Sequence, residues 1–159
     1  MAVFNLLLGI FTVVLYSYLF LLRKELVFVA KRKSNQSFIW PVFSALFIFL
    51  FYMKVDDWQE VMRGGLVVLV VLSYLFNNRG LAENRIVTHS MDNRGVKYSE
   101  IDRVVIFHDS ENQVLKVNFF RLGLRLPLFI FTQSLEELLP FLSKRLKKGT
   151  TIDIILNQP

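Results

Sequence analysis

Three stretches in the first half of the chain are apolar and carry no Asp, Glu, Lys or Arg: Met1–Leu22, Ser37–Met53 and Gly64–Asn78. A helix needs about 20 apolar residues to cross ~30 Å of hydrocarbon. The first stretch has that length. The second is shorter but very apolar, and the third reaches the length when extended back to Trp58. The pattern predicts three transmembrane helices, over residues 2–22, 37–53 and 58–77. The first has no basic leader and no small-residue cleavage site, so it reads as a retained anchor. Trp40, Tyr52 and Trp58 fall near segment ends, where aromatic side chains sit at the lipid–water interface. Arg63 is placed to snorkel to headgroups. Pro41 is expected in the first turn of its helix, where a missing N–H matters little. Gly64-Gly65 has two readings, close helix packing or a loose helix start.

After Arg79 the period shortens towards two. Arg85–Met91, Val96–Tyr98, Ile101–His108, Val114–Phe120 and Leu124–Phe131 read as strands. Asp92-Asn93-Arg94-Gly95 and Asp109–Asn112 are turn signals. Pro127 argues for an edge position or a bulge. Ser134 with Glu137 forms a capping box, and Leu135, Leu138, Leu139, Leu142 and Leu146 make one helical stripe. Gly149 is the expected stop. Pro140 conflicts with a continuous helix: either the helix bends there, or it begins there. Thr151–Leu156 is a last strand or a tail. The expected fold is therefore a membrane α-helical region, residues 1–78, plus a small α+β domain, residues 79–159. That domain is an antiparallel sheet capped by a C-terminal helix.

Charge supplies the orientation. Residues 1–78 hold 7 Lys+Arg and 4 Asp+Glu, against 12 and 9 in residues 79–159. The loop after the first segment has Arg23, Lys24, Lys31, Arg32 and Lys33 against Glu25, whereas Lys54–Arg63 is weakly acidic. The positive-inside rule puts the basic loop in the cytoplasm. The N-terminus is then outside, and everything after Asn78 is cytoplasmic, in a bacterial cell (inner) membrane. The basic loop also suits anionic headgroups, which explains a pI near 9.7 better than nucleic acid does. Within the loop, Leu26–Ala30 either continues the first helix or lies at the interface as an amphipathic piece.

The run Gly95-Val96-Lys97-Tyr98-Ser99-Glu100-Ile101-Asp102-Arg103-Val104 is similar to the G-I…I-x-W-x-D-I-x-x-V segment of bacterial PH-like domains. Tyr98 stands where Trp is common, and Glu100 where Asp is common. The resemblance covers roughly residues 80–147. It implies a PH-like sheet closed by a helix, of the kind that follows two or three membrane helices in small proteins of Gram-positive bacteria. It brings no catalytic residues. A full PH fold has seven strands, and this stretch supplies five or six.

No Cys is present, which excludes disulfides and thiolate metal sites. His89 and His108 are the only histidines, too few alone for a metal centre. Asp56/Asp57 and Glu136/Glu137 are adjacent carboxylates that neither a strand nor a helix aims at one point. No nucleotide, zincin or nucleophile-elbow motif occurs. The expectation is a non-enzymatic protein with no cofactor, metal, nucleic acid or small-molecule substrate. Membrane lipids and a membrane-protein partner, or further copies of itself, are the expected partners. Phe119, Phe120, Arg121, Phe129 and Phe131 are the candidate partner surface. The domain would act as adapter or regulator of a membrane complex. The alternative is an immunity protein against a membrane-active peptide bacteriocin.

Overall fold

The computed structural model describes residues 2–31, 36–92 and 94–156. The chain divides into two compact units. One is Met1–Leu22 with Ser34–Asn77, and the other is Arg23–Lys33 with Asn78–Pro159.

The first unit is helical: α1 (Ala2–Glu25), α2 (Gln36–Tyr52) and α3 (Trp58–Leu72), which runs on into a 3-10 turn at Ser73–Phe76. Ala2–Glu25 and Trp58–Phe76 are long and apolar enough to cross a membrane, and the apolar helix of α2 is shorter. Asn5, Thr12, Leu15, Leu19 and Leu22 are buried along one face of α1, a spacing of three, four and seven. Asp57 caps α3 by accepting from the N–H of Gln59 at 3.0 Å, and Glu60 lies in the first turn, where the helix dipole favours an anion. Pro41 is inside α2, deeper than expected, so its missing N–H removes one intrahelical bond. The two glycines differ. A Cβ on Gly64 would sit 2.3 Å from Cγ of Tyr52, while one on Gly65 would meet nothing within 4 Å. Gly64 is what lets α2 and α3 close together.

The second unit has two sheets and one helix. The first sheet is antiparallel, in the order β1 (Leu26–Val29), β2 (Gly80–Ala82), β3 (Arg85–Val87), β4 (Val96–Lys97). The second is β7 (Leu124–Arg125), β6 (Val114–Arg121), β5 (Arg103–Asp109), β9 (Thr151–Leu156), with β8 (Phe129–Phe131) also on β6. The helix α4 spans Leu135–Arg145. The architecture is α+β.

Leu26–Ala30 is neither a helix extension nor an interfacial helix. Its first four residues, Leu26–Val29, are a strand, because Leu26 and Phe28 face inward while Val27 and Val29 face outward, the period-two pattern of a half-buried strand. Leu26 lies opposite Ala82 and Val29 opposite Gly80. The N–H groups of Ala30 and Lys31 then donate to the carbonyls of Arg79 (2.8 Å) and Ile130 (2.7 Å).

Other boundaries move for local reasons. The expected strand Leu124–Phe131 splits into β7 and β8 around Pro127, both pairing with β6; Pro has no N–H for the ladder. Pro140 lies within α4 rather than at its start. The helix ends at Arg145, and Gly149, with φ of +96°, serves the turn into β9 instead. Because α4 carries the chain back over the sheet, β9 runs parallel to β5, so this sheet is mixed and not purely antiparallel. Asn93 of the expected turn is outside the described residues. At the β6–β7 turn both Leu122 and Gly123 have positive φ, the pattern of a tight two-residue hairpin. The Asp102 carboxylate holds the N–H of Leu122 there.

The core lies between the sheets and α4. Phe119, Phe129, Phe131, Leu138 and Leu142 are fully buried. Phe129 stacks on Phe131 at 6.0 Å, Phe119 meets Phe129 edge-on at 5.6 Å, and Phe28 meets Phe141 edge-on at 4.9 Å.

Candidate functional site

The alternation of β5 and β6 sorts the residues singled out from the sequence. Val104, Ile106, Val117 and Phe119 point into the core at 0% exposure. Their neighbours Val105, Phe107, Lys116, Asn118 and Phe120 face the other way and are half-buried. Phe119, Phe129 and Phe131 are therefore core residues and cannot form a partner surface. Phe120 does lie on the outer face, and Arg121 is exposed and paired with Glu100 at 2.8 Å.

The outer face that exists is a different set. Val105, Phe107, Phe120, Ile130 and Ile155 are its apolar members. Lys116 lies over the Phe107 ring at 5.6 Å, and Arg103 over the Phe120 ring at 5.9 Å. Both cations are ion-paired, Arg103 with Asp153 and Lys116 with Asp109, each at 2.6 Å, so the face mixes apolar side chains with neutralised charge. Sequence alternation alone could have found Phe107 and Phe120, but not Ile155, whose place depends on the parallel pairing of β9.

One carboxylate on this sheet is strongly held. Asp109 accepts from Lys116 Nζ at 2.6 Å, from Asn112 Nδ2 at 3.0 Å and from the Asn112 N–H at 3.2 Å. The Lys116 bond first, and then those from Asn112, lower its pKa from 3.8 to about 2. A carboxylate with a lowered folded pKa stabilises the fold above its unfolded value, and that contribution fades as the acid form takes over. The expected result is that the full chain in detergent loses stability as pH falls from 3.8 to about 2. Asp109→Asn should lose less over the same window. Thermal melts of the two proteins across that window check this, and identical acid profiles would contradict it.

Tyr98 is buried, and its hydroxyl donates to the Ala82 carbonyl at 2.7 Å. Burial pushes its pKa up, with a smaller opposing effect from Arg145. Tyr98 is thus a structural tie between the 3-10 turn at Tyr98–Glu100 and β2.

His89 Nδ1 accepts from the Met91 N–H at 3.1 Å, and His108 Nδ1 lies 3.4 Å from Ser110 Oγ. Among the described residues no three His, Asp or Glu side chains gather as metal ligands would.

In the helical unit Trp40 and Trp58 are 72% and 75% exposed, whereas Tyr52 is half-buried against Gly64. Arg63 makes specific contacts that the sequence did not announce. Its Nε donates to Asn5 Oδ1 at 3.3 Å, it lies 3.8 Å from Glu60, and it sits over the Phe4 ring at 5.6 Å. Asn5 Nδ2 in turn donates to the Gln59 carbonyl at 2.9 Å. The signal was Asn5 itself, an amide in an otherwise apolar first turn and a half. Arg23, Lys24 and Lys31 belong to the second unit; Arg32 and Lys33 are outside the described residues.

Compared with family models, curated proteins and solved structures, the chain has no significant match.

Proposed function

We propose that this chain is a non-enzymatic integral membrane protein with a PH-like domain facing the bacterial cytoplasm. The domain acts as adapter or regulator of a membrane protein complex. One observation carries the reading: β1 precedes α2, β2 follows α3, and the two strands pair. Strands of one sheet share one compartment. Any crossings made by the chain from Gln36 to Phe76 must then be even in number. This supports α2 and α3 as a spanning hairpin. At 17 residues, α2 covers roughly 25 Å at ~1.5 Å per residue, which is at the short end for a span. With the basic loop inside, the domain is cytoplasmic and the N-terminus outside. A failure of α3 to cross would pull β1 away from β2.

The strand order supports the PH-like part. Four antiparallel strands are followed by β5, β6 and the interrupted β7–β8 strand, and then by α4. The strand that residues 80–147 lack is β1. The addition of β9 after the helix is a departure from that pattern. The half-buried apolar outer face of the second sheet supports a protein partner, since unpaired surface of this kind marks contact sites.

Two experiments test the reading. In intact cells a membrane-impermeant maleimide should label Asp57→Cys and leave Ser110→Cys untouched until permeabilisation; the chain has no cysteine of its own. Labelling of Ser110→Cys from outside overturns the topology. Extraction in mild detergent should recover the chain with a stoichiometric membrane-protein companion, lost on Phe107→Glu. A lone monodisperse monomer, with no effect of deleting residues 81–159, overturns the adapter role.

A further inference from the structure

The second sheet ends in two unlike edges. At one end lie β7 and β8, two and three residues long and separated by Pro127. Arg125 stands on β7, and the Ile130 carbonyl of β8 accepts from the Lys31 N–H. Short strands, charge, proline and a covering segment are the devices that keep a sheet edge from pairing. The other end is β9, which follows α4 and departs from the PH-like order. It has six residues, Thr151–Leu156, with no proline, lysine or arginine. Its register on β5 runs unbroken along that length. Among the described residues no strand covers its far edge. Ile154, Ile155 and Leu156 are 39%, 50% and 60% exposed.

The backbone fixes which groups of β9 face that edge. The Thr151 N–H donates to the Asp102 carbonyl at 3.3 Å. Peptide directions alternate along an extended strand, so Asp153 and Ile155 also turn their N–H and C=O towards β5. Ile152, Ile154 and Leu156 turn theirs to the open edge. Two such edges fit antiparallel about a two-fold axis through Ile154. Ile154 then lies opposite Ile154 of the second copy, and Ile152 opposite its Leu156. These are the pairs that exchange both N–H···O bonds, so the open groups of Ile152, Ile154 and Leu156 are all satisfied. Moving the axis to Asp153 would set two carboxylates directly opposite, which destabilises a sheet, and would leave Leu156 beyond the end of the other β9. In the Ile154 register Asp153 faces Ile155 instead, with its charge held by Arg103 at 2.6 Å.

The side chains agree with the backbone. Ile152, Ile154 and Leu156 share a face with Val104 and Ile106, and Ile152 packs against the core there. Pairing lays the same three residues of the second copy beside them, so the apolar row continues across the axis. We propose that β9 is a dimerisation strand, joining two copies of this chain edge to edge into one continuous sheet. The inference uses the second unit alone and stands apart from the topology and the adapter role.

The test uses the full chain in a neutral detergent. Sedimentation corrected for bound detergent should show a dimer. Ile154→Lys, which sets two ammonium groups opposite one another at the axis, should give a monomer at the same concentration. Amide exchange should show Asp153 and Ile155, bonded to β5, protected in both proteins. Ile152, Ile154 and Leu156 should be protected in the parent and lose that protection in the variant. Opposed Cα atoms in such a pair lie about 5.5 Å apart, within the disulfide range of roughly 4.4–6.8 Å. Oxidation in membranes should therefore link Ile154→Cys to a second copy and leave the exposed Ser110→Cys unlinked. A monomeric parent, a dimer that survives Ile154→Lys, or fast exchange at Ile152, Ile154 and Leu156 in the parent overturns the proposal. If Ile154→Lys also frees Asp153 and Ile155, the cysteine link decides, and its absence or its formation to a different protein overturns the proposal.

Discussion

Gly80→Ala is expected to destabilise the second unit by about 3–6 kcal/mol, the burial of one Leu and one Phe side chain. A Cβ at position 80 would lie 2.0 Å from the carbonyl oxygen of Phe28 and 3.1 Å from Cα of Val29. Both obstacles are backbone, which no side-chain rotation can clear. β1 must move off β2, and Leu26, Phe28 and Ala30 leave the core with it. Gly65→Ala is the control, since its Cβ meets nothing. In mid-helix that change should be neutral or stabilising by about 0.5–1 kcal/mol. Hydrogen exchange at Leu26–Val29 in the full chain reports the outcome directly. Protection in Gly80→Ala equal to that of the parent would show that β1 is not held as described.

Phe119→Ala is expected to destabilise the chain by about 3–5 kcal/mol, the range for truncating a fully buried aromatic residue. Phe120→Ala, one position along, removes a half-buried outward ring and should stay within about 1 kcal/mol. The contrast rests on strand parity. Phe119 packs against Phe129 between the sheets, and Phe120 carries the Arg103 guanidinium on the outside. Amide exchange across β5 and β6 in detergent separates the two, and similar losses from both would refute the inward–outward assignment.

The same parity marks where sequence reading succeeds and where it stops. The helices, the β5–β6 hairpin and the Leu138/Leu142 face of α4 follow from periodicity, because each repeats over two turns or several pairs. Phe129 and Phe131 stand in a short aromatic run whose buried face the sequence does not mark, and the structure buries both. Which face a short strand buries depends on its partner, here β6. β1 was hidden for another reason. Four residues, Leu26–Val29, flanked by cations give too few periods to separate strand from helix, and their partner lies far along the chain.

The position of β1 has a consequence for biosynthesis. Val29 and Gly80, opposite one another in the first sheet, are about fifty residues apart in the chain. At ~5–20 residues per second, β1 emerges from the ribosome several seconds before its partner strand exists. During that interval Leu26 and Phe28 have no sheet to enter. The first sheet closes only once the α2–α3 segment has been made, so the fold of the second unit is completed late in synthesis. A fragment beginning at residue 79 would lack its first strand, leaving Phe131 and Phe141 without Phe28. A chain whose synthesis stops before Gly80 therefore carries a β1 segment with no partner strand, a target for proteases.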